Sequence, residues 1–277
     1  MKYKVLAFAD THVGSNFGLF PKNFKARYEL NPIQEILWEY WTDFCAKLPR
    51  LDVVMLVGDP VEGRAKFTRG AGLCEIEPSK QVEAAVVCCN MVIDKMKPGS
   101  QWYSLAGSDY HVGRQKQHDF DLASKLAKDN KKKKFEVVTD GQDNYAHIWL
   151  HLDVGGVKFD VAHHRSVAMI NRAMPLEREL RFNAISQALH QGEDDIIIRA
   201  HAHTDIVVAE GYRLAIGLPS WKCQDEYCAG SKTPNRMLSR WLGAFLITID
   251  TAADDPISYK KLFYPHPILE RHTYVTP

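Results

Sequence analysis

Two histidines one residue apart, His201 and His203, follow the apolar run Ile196–Ile198 after Arg199-Ala200, with Asp205 just behind them. Four other apolar runs end in the same kind of residue. KVLAFA is followed by Asp10-Thr11-His12, and VVMLV by Gly58-Asp59. WYSLA is followed by Gly107-Ser108-Asp109-Tyr110-His111, and VKFDVA by His163-His164. Carboxylates and imidazoles are the donors that bind divalent and trivalent metals of hard to intermediate character. Residues i and i+2 of an extended chain point the same way, so Asp10 with His12, and His201 with His203, are expected to chelate in pairs from strand ends. Two cations ~3.5–4 Å apart need a shared anion between them. Asp59, after a glycine that permits close backbone approach, suits that place.

Each piece alone is weak. A Gly-Asp pair is usually a turn, and a lone His163 could be a core histidine. The joint pattern carries the weight: five motifs, each at the end of an apolar run, in regular order. Ligand sites in open α/β sheets lie beyond the carboxyl ends of the strands, so one shared rim is expected.

The elements that would position these residues can be read from periodicity. Strands are expected at Tyr3–Ala9, Val53–Val57, Trp102–Leu105, Glu136–Thr139, His147–Leu152, Val157–Ala162, Asp195–Ala200, Asp205–Ala209, Tyr212–Gly217, Gly243–Asp250 and Ile257–Phe263. A helix over Asn31–Leu48 has Asn31 as N-cap, Pro32 at its first position and Gln34 placed for a capping box. A second runs from Val82 to Met96 and ends at Pro98-Gly99, and a third covers Leu176–His190. Strands and helices alternate in the first half, while strands dominate the second. Two packed sheets with helices outside fit that order.

The 277 residues carry a net charge of +1, which argues against partners bound through bulk charge. Six cysteines without a C-x-x-C pair read as reduced thiols, and no segment resembles a signal peptide or membrane span. A cytoplasmic protein with no membrane partner is expected. Lys131-Lys132-Lys133-Lys134 reads as a solvated turn, with a phosphate-contacting patch as the sharper alternative.

In order, D-x-H, G-D, a Gly-led loop ending in His, a lone His and H-x-H resemble the calcineurin-like metallophosphoesterase superfamily. The motifs span Asp10 to His203. GDPVEG and GLPSWK further resemble short single-domain members of phage type. The resemblance implies an α/β fold, a four-layer αββα sandwich of two mixed β-sheets flanked by helices, as one domain over residues 1–277. It also implies a dinuclear centre in which Asp10, His12 and His203 hold one metal, His163 and His201 the other, and Asp59 bridges. His163 is preferred to His164 because it continues the face of Val157, Phe159 and Val161.

One motif departs from the family, which has Gly-Asn-His-Asp or Glu where this chain has GSDYH. Asp109 is taken as the replacement oxygen ligand, with Ser108 as runner-up, and His111 as the acid that protonates the leaving group. His164, Arg114 and Arg165 are expected to face substrate; Trp221, Tyr227 and the Lys128–Lys134 region are candidates for stacking bases and touching phosphates, while the near-neutral charge argues against strong nonspecific DNA affinity. The implied reaction is phosphate-ester hydrolysis by a hydroxide shared between two metals (Mn, Fe, Zn or Ni, with Mn favoured). A phosphodiesterase or nuclease leads, with nucleic acid as a candidate substrate. The alternatives are a phosphomonoesterase, protein phosphatases included, and a non-catalytic binding scaffold of the same fold.

Overall fold

The strands carrying the motifs are apolar on both faces because both faces are covered. A computed structural model of the chain describes residues 1–22, 24, 29–64, 70–112, 116–164, 171–188, 194–211, 213–223 and 240–267. Its first sheet comprises β1 (Lys2–Phe8), β2 (Leu51–Val57), β3 (Met96–Leu105), β4 (Glu136–Val137), β5 (Ala146–His147), β11 (Trp241–Asp250) and β12 (Ile257–Pro265). They run in the order β12-β11-β1-β2-β3-β4, with β5 also paired to β3. The second sheet, in the order β6-β7-β8-β10-β9, comprises β6 (Leu150–Val154), β7 (Val157–Ala162), β8 (Ile196–Arg199), β9 (Ile206–Glu210) and β10 (Arg213–Gly217).

Both sheets are mixed. β1, β2 and β3 are mutually parallel, as are β7, β8 and β10, while the outer pairings β1–β11 and β6–β7 are antiparallel. Alternate residues divide the work. Val5, Ala7, Met55 and Val57 pack against Phe159, Val161, Ile196 and Ile198 between the sheets. The opposite face of the first sheet, with Leu6, Phe8, Val54 and Trp102, meets α1 (Pro32–Lys47), α2 (Pro78–Ile93) and α4 (Gln117–Asp129). Ile197 and Ala215 on the outer face of the second sheet meet Leu176 and Leu180 of α5 (Met174–Ala188). The result is the αββα layering that the resemblance implied.

The N-terminus of α1 forms as its sequence predicts: Asn31 Oδ1 accepts from the Gln34 N–H at 3.0 Å, and Gln34 Oε1 accepts from the Asn31 N–H at 3.2 Å. Other expectations need correction. The second helix stops at Ile93 rather than Met96, and Met96 begins β3, because a register shift between Leu51 and Val53 absorbs Pro98-Gly99 within the strand. The single strand expected over His147–Leu152 is two, since the chain leaves the first sheet after β5 and enters the second at β6. α4 and the short α3 (Asp109–Val112) were not foreseen. His190 and Tyr227 lie outside the described residues.

β7 and β8, which deliver three of the motif histidines, are joined on their outer face by a buried ion pair. Arg199 Nη1 and Nη2 donate to the two carboxylate oxygens of Asp160 at 3.0 Å each, and Arg199 Nε lies 2.8 Å from Glu179 Oε2. Removing one partner of such a pair leaves an uncompensated buried charge. Arg199→Met is therefore expected to destabilise the fold by ~3–5 kcal/mol, read as a lowered urea midpoint at unchanged slope.

Candidate metal centre

The carboxyl ends of β1, β2, β3, β7 and β8 meet at one edge of the sandwich, and the loops leaving them are cross-tied. The Asp10 N–H donates to Gly58 O (3.1 Å), the His12 N–H to Asp59 O (3.2 Å) and the Glu62 N–H to Val13 O (3.0 Å). These ties hold residues in unfavourable backbone. Asp10, His12, Asp59, His201 and His203 all have φ between 44° and 65°, five of seven such non-glycine residues among those described. Left-handed backbone at non-glycine residues costs energy and gathers at functional sites. Asp10 and His12 enter one cluster as expected, though from left-handed rather than extended backbone, while His201 and His203 do not chelate as a pair. β8 ends at Arg199, and neither His201 nor His203 belongs to an extended strand; each is turned by a left-handed step into a different cluster.

The first cluster is Asp10, His12 and His203. His12 Nε2 and His203 Nε2 approach to 3.2 Å, at 3.6 and 3.3 Å from Asp10 Oδ1. The second is Asp59, His163 and His201. His163 Nε2 lies 3.0 Å from Asp59 Oδ2, and His201 Nδ1 lies 4.0 Å from the same oxygen. Asp10 Oδ1 is also 4.0 Å from His163 Nε2, so it is within reach of both clusters. Gly58 stands where a side chain would collide with the His163 ring, and Gly107 where one would collide with Asp59.

A metal ion fits this donor set. His163 donates its Nδ1 proton to Val57 O at 2.8 Å, so in the neutral ring Nε2 presents a lone pair. That lone pair faces two carboxylates. Asp10 Oδ1 is buried without a hydrogen bond, and His163 Nε2 has no aligned one although it stands 3.0 Å from Asp59 Oδ2, a costly state unless a proton or a metal cation stands among them. The electrostatics show the same demand. Burial would lower the His12 and His163 imidazoles, but Glu62 and Asp10 beside the former, and Asp59 and Asp10 beside the latter, hold each up at about 9. Burial would raise Asp10 and Asp59, but the surrounding histidines keep both carboxyls well below the usual range.

The structure brings Ser108, not Asp109, to the centre. The Ser108 N–H donates to Asp59 Oδ1 at 2.8 Å, and its hydroxyl lies 3.0 Å from Oδ2. Asp109 opens α3 with its side chain 81% exposed, 3.7 Å from Lys116 Nζ, because the turn that buries Ser108 sends the next residue outward. His111 joins His12 and Glu62 in a third group, its ring edge-on to His12 at 4.4 Å. His164 is exposed, its ring 5.0 Å from that of His201. Arg114 and Arg165 lie outside the described residues. Trp221 is fully buried against Trp41 and Phe44 and supports Asp10 through its backbone N–H, so it cannot stack bases. Lys131–Lys134 form an exposed turn.

Glu62 and Lys222 were missed, although both stand in stretches singled out for resemblance. Glu62 Oε2 lies 2.9 Å from His12 Nδ1, leaving His12 Nε2 for the centre, and both Glu62 oxygens accept from Lys222 Nζ at 3.0 Å. Burial would raise Glu62, but His12 and Lys222 outweigh it and hold the carboxyl at about 2. The buried amide of Gln81 fixes the adjacent Gly63, accepting from its N–H at 2.8 Å and donating to its C=O at 2.9 Å.

No protein-family model matches the chain, and no curated protein does. Solved structures similar to it include Vps29 of Entamoeba histolytica complexed with zinc, at 14% identity and a TM-score of 0.42, over 94% of this chain and 98% of that one. An archaeal phosphodiesterase aligns over 94% of this chain and 99% of its own, with 11% identity and a TM-score of 0.39. A predicted phosphoesterase of Streptococcus pneumoniae gives 12% identity and 0.35 over 94% and 98%. At these values the likenesses are distant, and the side-chain geometry above stands without them.

Protons and metals compete for His12 and His163, so metal affinity is expected to rise with pH until about 9 and then level off. In metal-free protein the sign is opposite. Raised imidazoles stabilise the fold fully below their ordinary 6.5, and that contribution is lost as pH climbs through about 9. The gap in melting temperature between metal-loaded and metal-free protein should therefore widen from pH 6.5 to 9. A pH-independent gap would remove these two histidines from the ligand set.

Proposed function

We propose that the chain is a metal-dependent phosphoesterase that hydrolyses phosphodiesters, with nucleic acid or a small diester as substrate. The observation that carries this reading is the buried Asp10 Oδ1, which has no hydrogen bond and stands within 4.0 Å of ring nitrogens of His12, His163 and His203. Two cations, when bound, would supply charge neutralisation for a phosphoryl group and a water acidified towards neutral pH. Asp10, His12 and His203 would hold one, His163 and His201 the other, with Asp59 shared; manganese, iron, zinc and nickel suit such oxygen and nitrogen donors, and manganese is our choice.

The chain's own groups then have distinct tasks. Glu62 and the Val57 carbonyl set the tautomers of His12 and His163, keeping Nε2 of each as donor to the centre. His111 lies at the edge of that centre, with Nδ1 3.0 Å from Glu62 O, so in the neutral ring the Nδ1 proton is given to that carbonyl. Burial, then the His12 charge, pull its imidazole down to about 4. A ring so placed is neutral at physiological pH, so it would take up a proton released by the attacking water before giving one to a departing alkoxide. A leaving group that is already acidic has no need of it. His164 and His201 form the more open side, where a substrate phosphate would approach. A diester brings one negative charge rather than two to a carboxylate-rich floor. We place the protein in the cytoplasm on its free thiols at Cys45, Cys74, Cys88, Cys89 and Cys223; among the described residues no helix is long and apolar enough to cross a membrane.

With manganese, the protein should hydrolyse bis(p-nitrophenyl) phosphate and oligonucleotides. His111→Asn should slow a dinucleotide, whose leaving group is an alkoxide, by ~10²–10⁴-fold, and the nitrophenyl diester far less. Turnover of p-nitrophenyl phosphate alone would overturn the diester choice. No turnover by metal-loaded protein would leave a binding scaffold.

A further inference from the structure

The Asp59 carboxylate is tied to the first turn of α4 through a single peptide unit. The Gly107–Ser108 peptide offers its N–H to Asp59 Oδ1 at 2.8 Å, and its carbonyl accepts from Lys116 Nζ at 2.8 Å. The preceding N–H, that of Gly107, donates to Asp119 Oδ2 at 2.9 Å. Lys116 and Asp119 thus hold the turn at Gly107 from both sides, and the turn holds Asp59. Lys116, the N-cap residue of α4, itself has φ +57°, a conformation shared among described residues with five of the motif residues and Asp143.

We propose that Lys116 is a positioning residue of the metal centre, which aims and polarises the Ser108 N–H so that Asp59 presents its remaining lone pairs in fixed directions. A hydrogen bond from a cation to a carbonyl strengthens the N–H of the same amide as a donor. Gly107 cannot be replaced by a residue with a side chain, because a Cβ would strike Asp59; the peptide must be oriented from outside. Lys116 Nζ is placed for that. Its side chain is 19% exposed, and its other charged contact, Asp109 at 3.7 Å, is 81% exposed and so binds it weakly. Among the described residues, Asp119 and His164 also feel its charge. The inference rests on the metal-centre reading above.

Two effects of removing Lys116 have opposite signs, which makes the test decisive. Losing a nearby positive charge, taken alone, would tighten the binding of a cation. Losing the support of Asp59 would loosen it, by about 10- to 100-fold where an outer residue orients a ligand. Titration of Lys116→Met with Mn²⁺ by calorimetry, in parallel with wild type and Lys116→Arg, separates them. We expect weaker binding in Lys116→Met and recovery of most of it in Lys116→Arg, which keeps both charge and reach. The Mn²⁺ electron paramagnetic resonance spectrum of Lys116→Met should broaden as the ligand set loses definition. Unchanged or tighter binding in Lys116→Met would overturn the inference while leaving the centre intact, as would a raised KM at unaltered metal affinity. Should Lys116→Met fail to fold, weakened binding in folded Lys116→Arg would overturn it. Wild-type protein that takes up no metal would overturn the inference and the centre together.

Discussion

A buried carboxylate oxygen surrounded by imidazole nitrogens is the constraint on which the site depends. Asp10 Oδ1 has three ring nitrogens at 3.3, 3.6 and 4.0 Å and a hydrogen bond to none. Glu62 beside His12 and Val57 beside His163 take the protons on the other side of those rings. Such an interior is stable only with added positive charge, supplied by protons on the imidazoles or by metal in their place. The two solutions use the same lone pairs, so proton binding and metal binding are one competition.

Holding acceptors against acceptors requires a frame that does not yield. Five left-handed residues at the strand ends would relax if their loops were free. Instead the loops after β1 and β2 are hydrogen-bonded to each other, Gln81 fixes Gly63, and Trp221 secures the Asp10 carbonyl from within the core. Beneath them, parallel strands packed on both faces fix where each loop begins. Strain persists where surrounding structure over-determines it.

Much of this was legible in the sequence, for identifiable reasons. The motif strands are short apolar runs ended by polar residues, so their existence and carboxyl ends could be read; β7 has the same limits in both readings. Asn31, Pro32 and Gln34 mark the start of α1 through local chemistry, and local chemistry survives folding. What failed depended on neighbours. Whether Pro98-Gly99 stops a helix or sits in a bulge is decided by pairing with β2, and the change of sheet between β5 and β6 has no local signature. The pairing of His201 with His203 was inferred from extended geometry, whereas each enters its cluster through a positive φ that a histidine does not advertise. Lys222 is 160 residues from Glu62, and no spacing rule joins them. In GSDYH, two oxygen-bearing residues stood side by side, and only the turn's direction could choose Ser108 over Asp109.

A count of lone pairs ties the two clusters together. An ionised carboxylate has about four acceptor positions. Asp59 gives some to the N–H and hydroxyl of Ser108, and its Oδ2 still faces His163 and His201. Asp10 gives one position on Oδ2 to the His201 N–H and keeps Oδ1 uncommitted. Each carboxylate therefore retains acceptor capacity towards the imidazoles, and Asp10 Oδ1 is the atom in reach of nitrogens from both clusters. A second cation so near a first needs shared anionic oxygen to offset their repulsion. In the proposed two-metal centre that oxygen would come from the ends of two adjacent parallel strands, β1 and β2, with Asp10 beside Asp59.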